Sequence, residues 1–327
     1  MLARLLVMLL PLLAAPDYFR NPVIRRDWAD PTVWYEDGRY YSVATGLDAI
    51  YTSTDMVSWS KLDHAPLTRD AMEQARRLSR YLWAPDVVKI GDAWMMYVTC
   101  YRSAQESKIV AFRSSSPSGP FEYDAIISDS AQTGIPDTID PEVVYDPQTA
   151  RLWLFFGSIG GIHRVALAPD GRRVAEGARY EHVAGLTYEV DSTRTHVFEG
   201  SYLHYRRGYW YLFVSCGYFA DPQYMLKVGR SPSLDGEFVD KDGKKMSLGY
   251  ATPLLWSTLV DNFYGPGHNG EIFSDAAGQD YIFYHCHDRS SGTARRFTFL
   301  QRLFWDADGW PYLDHSRPVA EDLTPLL

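Results

Sequence analysis

The sequence predicts an all-β chain of 327 residues that folds as a single-domain, five-bladed β-propeller. Short runs rich in Val, Tyr, Trp and Phe are broken by Gly, Asp and Pro, a pattern typical of strands and turns. These runs recur five times along the chain. A period of roughly 55 to 70 residues with about four strands in each unit is typical of propeller blades. A β-sandwich, the alternative all-β fold, lacks so long a period.

Residues 1–15 precede the repeats and are predicted to be a secretory signal. One positive charge stands at Arg4, an apolar run continues to Leu13, and small residues suited to cleavage follow. The run is too short to cross a bilayer; a buried first strand or helix is the alternative. We therefore expect residues 16–327 to form the propeller of a secreted or periplasmic protein.

Each of the five units has a polar opening, a short strand, a turn carrying Gly, Asp or Pro, and an aromatic-rich second strand. The chain holds 15 Phe, 10 Trp and 23 Tyr residues, and the second strands account for most of this excess, since aromatic residues favour sheets. The units are ADPTVWYEDGRYYSVAT from Ala29, WAPDVVKIGDAWMMYVT from Trp83, IDPEVVYDPQTARLWLFFGS from Ile139, EGSYLHYRRGYWYLFVS from Glu199 and HNGEIFSDAAGQDYIFYH from His268. The second strands end at Thr45, Thr99, Ser158, Ser215 and His285.

Two local features stand apart from the repeats. Helical periodicity is good only from Thr68 to Arg80. The three cysteines, Cys100, Cys216 and Cys286, are far apart and lack C-x-x-C spacing. We expect them to be small buried residues and not zinc or redox ligands.

The charge balance excludes two classes of partner. A net charge of −9 without a long Lys/Arg run argues against a nucleic-acid surface, which would need a basic stripe. No run after the signal is apolar enough for a membrane span. We expect a monomer that binds neither nucleic acid nor membrane.

Three acids fall on one position of the repeat. The alignment rests on the apolar residue that starts each first strand, namely Val33, Val87, Val143, Tyr202 and Ile272. Three residues earlier stand Asp30, Ala84, Asp140, Glu199 and Asn269. The first strand of each blade lines the central axis, so these positions should converge at one end of the channel. Asp-Pro also starts strands well, which explains Asp30 and Asp140 without a functional role, but Glu199 precedes a glycine.

Converging carboxylates repel one another unless they are protonated or paired with a metal. Two carboxyl groups flanking a bond, one ionised and one protonated, are the machinery of glycoside hydrolysis, and a third can tune its neighbours. Trp83 and Tyr101 are candidates to stack against a sugar, with core packing as the alternative. Ser158 is a further candidate for substrate binding.

The repeat openings resemble glycoside hydrolase family 43 over nearly the whole chain from Asn21 to about Leu313. Within this family, VGRSPSLDGEFVDKDG from Val228 and LFWDADGWP from Leu303 look most like the endo-1,5-α-L-arabinanase branch. The matching motifs are NPV…ADPTV at 21–33, WAPDV at 83–87, IDPEV at 139–143, EG at 199–200 with the following GYWYLFVS, and GPGHN at 265–269.

This resemblance implies roles for the acids. Asp30 would be the general base that activates water, Glu199 the general acid, and Asp140 the residue that raises the pKa of the acid and holds it in place. Such enzymes invert the anomeric centre, which needs a wide separation of base and acid. The resemblance also implies a calcium ion in the axial channel beside His268. Taken alone, His268 is better interpreted as a hydrogen-bonded channel residue than as a metal ligand, and one histidine would leave mostly water around a calcium ion.

The implied substrate is a polysaccharide or oligosaccharide of the arabinan type, but alternatives stay open. Blade three reads GSIGGIH from Gly157, where arabinanases usually carry an aromatic residue, so the polymer and the choice of endo or exo attack are in doubt. An exo-acting α-L-arabinofuranosidase or β-xylosidase of the same family is one alternative. A non-catalytic glycan-binding propeller is another.

Overall fold

Five antiparallel sheets follow one another along the chain and form a five-bladed β-propeller, which confirms the predicted fold. A computed structural model describes residues 18–258, 262–291, 294–315 and 324–325. The predicted signal at residues 1–15 lies outside these residues. In each blade the strands pair in chain order, so each blade is a meander. No helix among the described residues is long and apolar enough to cross a membrane.

The bounds of the elements are as follows. A short strand β1 (Tyr18–Phe19) precedes blade one, and β23 (Thr324–Pro325) follows blade five. Blade one contains β2 (Thr32–Glu36), β3 (Arg39–Val43), β4 (Tyr51–Ser53) and β5 (Ser60–Lys61). Helix α1 (Arg69–Leu78) leads to blade two, with β6 (Tyr81–Ile90), β7 (Ala93–Tyr101), β8 (Ser107–Ser114) and β9 (Glu122–Asp129). Helix α2 (Ser130–Thr133) leads to blade three, with β10 (Glu142–Asp146), β11 (Arg151–Phe156), β12 (Ile162–Leu167) and β13 (Glu181–Ala184).

Blade four contains β14 (Phe198–Arg206), β15 (Tyr209–Cys216), β16 (Met225–Ser231) and β17 (Thr252–Leu255), with a 3-10 turn at Met246–Leu248. In blade five the first strand is split into β18 (Phe263–Gly267) and β19 (Ile272–Ser274), which both pair with β20 (Asp280–Asp288). A 3-10 turn at Arg289–Ser291, β21 (Arg296–Trp305) and β22 (Pro311–Tyr312) complete this blade.

The aromatic second strands form the core between the blades, as the composition indicated. Side chains alternate across a strand, so along β7 Met96 and Val98 pack toward blade one while Tyr97 packs toward blade three. Both faces of such a strand are buried, which is why its sequence is almost continuously apolar. Equivalent clusters join the remaining neighbouring blades. Blades three and four pack through Phe155 and Leu212, blades four and five through Phe213 and Tyr284, and blades five and one through Phe283 and Val33.

The amino-terminal segment closes the ring on blade five. The Asn21 side chain donates to the carbonyl of Leu300 at 2.8 Å and accepts from its amide at 2.9 Å. The amide of Val23 donates to the carbonyl of Thr298 at 2.9 Å. The segment therefore runs along the outer side of β21 and ties the first blade to the last.

The predicted helix and the predicted cysteine environment are both confirmed. Helix α1 begins after Thr68, whose hydroxyl accepts the amide of Ala71 at 3.2 Å as an N-cap. Its buried face packs in the core shared by blades one and two. All three cysteines are buried and none forms a disulfide bond.

The register of blades four and five differs by one residue from the sequence alignment. Left-handed backbone angles mark the equivalent position in each blade, and blade four has this angle at Gly200 and blade five at His268, in place of Glu199 and Asn269. Glu199 pairs with Ser215 as Trp83 pairs with Thr99, so Glu199 occupies the position of Trp83. In blade four the alignment was wrong because Tyr202 corresponds to Asp86, the polar residue before Val87. In blade five it was wrong because the opening of this blade has one extra residue. The full set of left-handed residues is Asp30, Ala84, Asp140, Gly200 and His268.

A ring of hydrogen bonds links each blade to the next at this position. At four junctions the amide of the left-handed residue donates to a side chain close to the end of the second strand of the preceding blade. These contacts are Ala84 to Thr45 at 2.9 Å, Asp140 to Thr99 at 2.9 Å, His268 to Ser215 at 2.6 Å and Asp30 to His285 at 3.1 Å. These residues close to the ends of the second strands therefore set the geometry of the neighbouring blade.

A second tier of acids lies two residues after the left-handed residue in blades two and three, and three residues after it in blade five. Asp86, Glu142 and Glu271 each accept a backbone amide from the following blade. Burial raises the pKa of Asp86 to about 7 and, with the charge of Asp86, that of Glu271 to about 8. Burial also raises the pKa of Glu142 well above its usual value. These carboxyl groups are part of the inter-blade hydrogen bonding.

Candidate active site

A cavity of about 290 Å³ opens at the end of the channel where the left-handed residues converge. Every site residue proposed from the sequence lines it, so the structure brings the whole set together. These residues are Asp30, Trp83, Tyr101, Asp140, Ser158, Glu199 and His268.

Asp30 is held as an ionised carboxylate. It is buried, its Oδ1 lies 2.8 Å from Nη1 of Arg296 and 3.3 Å from Nδ1 of His268, and Thr45 donates to Oδ2 at 2.6 Å. Burial opposes ionisation, but Arg296 and His268 outweigh it and hold the pKa of Asp30 well below its usual value. A carboxylate that stays ionised at neutral pH can accept a proton from water.

His285 binds the backbone amide of Asp30 as a neutral imidazole. Burial and the nearby Arg296 lower the pKa of His285 to about 3. Its Nδ1 accepts the amide of Asp30, so its proton is on Nε2. The backbone of Asp30, at φ 53°, is therefore fixed by the second strand of blade five, β20.

His268 lies between two carboxyl groups. Its Nδ1 is 3.3 Å from Oδ1 of Asp30 and 3.9 Å from Oδ2 of Asp140. Burial opposes the imidazolium, but Asp140 and Asp30 raise the pKa of His268 to about 9. Burial raises the pKa of Asp140 to about 7, with Glu199 and Asp30 adding to the effect and His268 opposing it. Asp140 is thus near its titration point at neutral pH.

Glu199 is oriented by two hydroxyl groups. Ser158 donates to Oε2 at 2.8 Å and Tyr224 donates to Oε1 at 2.7 Å. Hydroxyl groups both donate and accept, so Glu199 can stay hydrogen-bonded whether it is ionised or protonated. Asp30 is paired with a cation, whereas Glu199 has no salt bridge within the described ranges. The two carboxyl groups therefore have the different environments that a base and an acid require.

Three aromatic rings form a stack at one wall of the cavity. Trp83 and Tyr101 stack with ring centroids 4.2 Å apart and planes 26° apart, and Tyr81 continues the stack beyond Trp83 at 5.6 Å. Trp83 and Tyr101 are half-buried and line the cavity. A flat, partly exposed surface of this kind suits the apolar face of a sugar ring.

Sequence reasoning missed four residues of the site. Arg296, on β21, and Tyr224, in the loop before β16, contact the acids directly. Asp137 and Arg194 also line the cavity, and Arg194 lies over the rings of Tyr188 and Tyr218 at 5.0 and 4.9 Å. None of the four belongs to a repeat opening, so the repeat pattern gave no signal for them.

The residues around His268 do not fit a calcium ion held by protein ligands. Across the described ranges there is no group of three or more His, Cys, Asp or Glu side chains that could hold a metal. His268 is instead an imidazolium between Asp30 and Asp140, and supplies positive charge itself. A calcium ion held by His268 and water stays a prediction, and no step below uses a metal.

Comparison with known proteins identifies the family of the chain. The model of glycosyl hydrolases family 43 matches residues 19–311. The chain belongs to glycosyl hydrolase family 43. As a member of this family it is an enzyme, a glycoside hydrolase.

Two relatives and one solved structure illustrate the range of this family. The chain is 28% identical over 310 residues to the extracellular exo-α-(1→5)-L-arabinofuranosidase ArbA of Cellvibrio japonicus, covering 89% of this chain and 87% of the relative. It is 26% identical over 366 residues to an extracellular endo-α-(1→5)-L-arabinanase of Thermotoga petrophila, covering 94% and 75%. The structure of Cellvibrio cellulosa α-L-arabinanase complexed with arabinohexaose matches with a TM-score of 0.76 at 26% identity, over 88% of this chain and 95% of that one.

Proposed function

We propose that this family 43 enzyme hydrolyses α-1,5-linked L-arabinan or its oligosaccharides with inversion of the anomeric centre. The observation that carries the proposal is the contrast between the two carboxyl groups in one cavity. Asp30 is ionised beside Arg296, and Glu199 is bound by hydroxyl groups that allow either protonation state. The relatives named above act on α-(1→5)-linked arabinose.

In the proposed mechanism, Asp30 accepts a proton from a water molecule that attacks the anomeric carbon, and Glu199 donates its proton to the leaving oxygen. Ser158 and Tyr224 hold the Glu199 carboxyl toward that oxygen. Asp140, close to its titration point, accepts the Gly200 amide at 3.1 Å and fixes the backbone next to Glu199. The sugar ring packs against the free face of Tyr101 at the end of the aromatic stack, and Trp83, which lies behind Tyr101 in the stack, contacts the sugar through its edge.

The products identify the mode of attack. The purified protein would be incubated separately with linear debranched arabinan, an aryl α-L-arabinofuranoside and an aryl β-xyloside, and the products followed with time. Early release of a range of short oligosaccharides supports endo attack, while release of a single small product from the chain end supports exo attack. Activity on the xyloside alone would contradict the arabinan assignment.

We further propose that the protein is secreted or periplasmic and acts as a monomer. The relatives named above are described as extracellular. Fractionation of cells that express the full chain, followed by amino-terminal sequencing, tests export and cleavage near residue 15. Light scattering tests the monomer.

A further inference from the structure

Asp137 is a fourth carboxyl group in the wall of the catalytic cavity, and the mechanism above leaves it unused. It lines the cavity together with Asp140 and Glu199 and is 7% exposed. Its amide donates to the carbonyl of Ala104 at 2.8 Å, and its carbonyl accepts the amide of Ile139 at 2.9 Å. Its φ of 50° is in the left-handed region. This conformation is uncommon for residues other than glycine, although Asp tolerates it, so the fold fixes the position of this side chain.

One carboxylate oxygen of Asp137 is left without a protein partner. Oδ1 is buried and has no hydrogen bond to any described residue. Asp146 shows the usual pattern for a buried acid: its two oxygens accept from the Gln148 amide at 3.0 Å and the Thr149 hydroxyl at 2.7 Å. Buried polar atoms in native proteins are nearly always paired. An unpaired one in the wall of a substrate cavity therefore points to a partner that arrives with the substrate.

The neighbours of Asp137 make it an acceptor near neutral pH. Burial and the charge of Glu199 raise the pKa of Asp137 to about 6, although hydrogen bonding of the carboxyl group to Tyr101 and to the Ile159 amide and the charge of Arg194 oppose the shift. The carboxyl group is thus mostly ionised at pH 7. It lies beside Tyr101, the ring that ends the aromatic stack. A sugar packed on this stack would bring its edge, which carries the hydroxyl groups, toward Asp137.

We propose that Asp137 accepts a hydrogen bond from one hydroxyl group of the sugar and so contributes to substrate selectivity. This inference rests on the proposed function, since it assumes a furanoside or pyranoside in the cavity. The hydroxyl group donates one hydrogen bond to Oδ1, the one buried carboxylate oxygen without a partner among the described residues. A site built to accept from a hydroxyl group rejects analogues that lack it, because the buried Oδ1 then stays unpaired.

The test compares wild type, Asp137→Ala and Asp137→Asn on an aryl α-L-arabinofuranoside and on its 2-deoxy, 3-deoxy and 5-deoxy analogues. We expect Asp137→Ala to lower kcat/KM on the parent glycoside by about 10- to 100-fold, the range for a hydrogen bond to a charged group. On one deoxy analogue the same substitution should cost less than about 3-fold, because the partner hydroxyl is already absent. Asp137→Asn keeps the shape of the side chain and one acceptor, so its kcat/KM on the parent glycoside should lie between those of wild type and Asp137→Ala.

The controls separate this role from others. Asp92→Asn, at an exposed turn of blade two, should leave kcat/KM unchanged, and thermal unfolding checks that each variant folds. If the wild type is active, two results would overturn the role of Asp137 alone. In one, Asp137→Ala lowers kcat/KM equally on the parent and on all three analogues; in the other, it does not lower kcat/KM on the parent. A wild type inactive on linear arabinan as well as on every aryl arabinoside would overturn the proposed function and this role together.

Discussion

The backbone amide of Gly200 donates to Oδ2 of Asp140 at 3.1 Å, at the junction between blades three and four. At the other four junctions the equivalent amide meets a side chain close to the end of the preceding blade's second strand. Ser158, the residue equivalent to Thr45 in blade three, accepts no such amide from the described residues and donates its hydroxyl to the carboxyl of Glu199. The departure from the repeat thus places the proposed acid and its orienting group at one junction.

Gly200 has a specific reason to be glycine. Its φ is 58°, and a Cβ atom there would lie 3.0 to 3.3 Å from the ring of His268. We expect Gly200→Ala to destabilise the protein by about 2–3 kcal/mol and to lower kcat/KM, because it displaces His268 from between the two carboxyl groups. Gly208 is the matched control, since its φ is 89° with open space around it. Gly208→Ala should cost only about 1 kcal/mol and spare activity. Equal losses in urea unfolding would show that contact with His268 does not matter.

Arg296 should control the acid side of the pH profile. Arg296 is the main group that lowers the pKa of Asp30, so in Arg296→Met this pKa rises. Protonation of the base would then begin at higher pH, and kcat/KM should fall more at pH 5 than at pH 7 relative to wild type. Arg296→Lys keeps a positive charge and should retain more of the activity at pH 5. An unchanged acid limb in Arg296→Met would contradict the assignment of Asp30 as base.

The second tier of acids should make stability depend on pH. In the folded protein, burial raises the pKa of Asp86 to about 7 and that of Glu271 to about 8, while in the unfolded chain both groups ionise near pH 4. The unfolded state therefore binds fewer protons between these values, so stability should fall as pH rises from 5 to 8. Glu271→Gln should flatten this dependence in melting temperatures measured across the range. Glu122→Gln, at an exposed position of β9, should leave the dependence unchanged. A slope equal to wild type in Glu271→Gln would contradict the role of this tier.

The repeats explain which parts of the site could be predicted. Asp30 and Asp140 share a repeat position and the same backbone angle, so alignment of the repeats finds them. Glu199 was selected through an alignment that is one residue out of register, and it lies at the position of Trp83. That neighbouring position also faces the cavity, so Glu199 still lies with the other acids.

The remaining groups could not be predicted because their positions do not repeat. Arg296 lies on the third strand of blade five and Tyr224 in a loop, and each reaches the acids through the tertiary fold. The pairing of His285 with Asp30 joins residues 255 positions apart and depends on closure of the ring. Asp137 precedes a repeat opening, and only the enclosure of its carboxylate marks it.

The central claim is that Glu199 protonates the leaving group, and the most direct test is the kcat/KM of Glu199→Gln on two substrates. The dinitrophenolate leaving group of an activated dinitrophenyl α-L-arabinofuranoside departs without a proton, whereas the sugar leaving group of linear arabinotriose requires one. We predict a loss of about 10³-fold or more on arabinotriose and less than about 10-fold on the activated glycoside. Equal losses on both substrates, or activity on arabinotriose equal to wild type, would contradict this role.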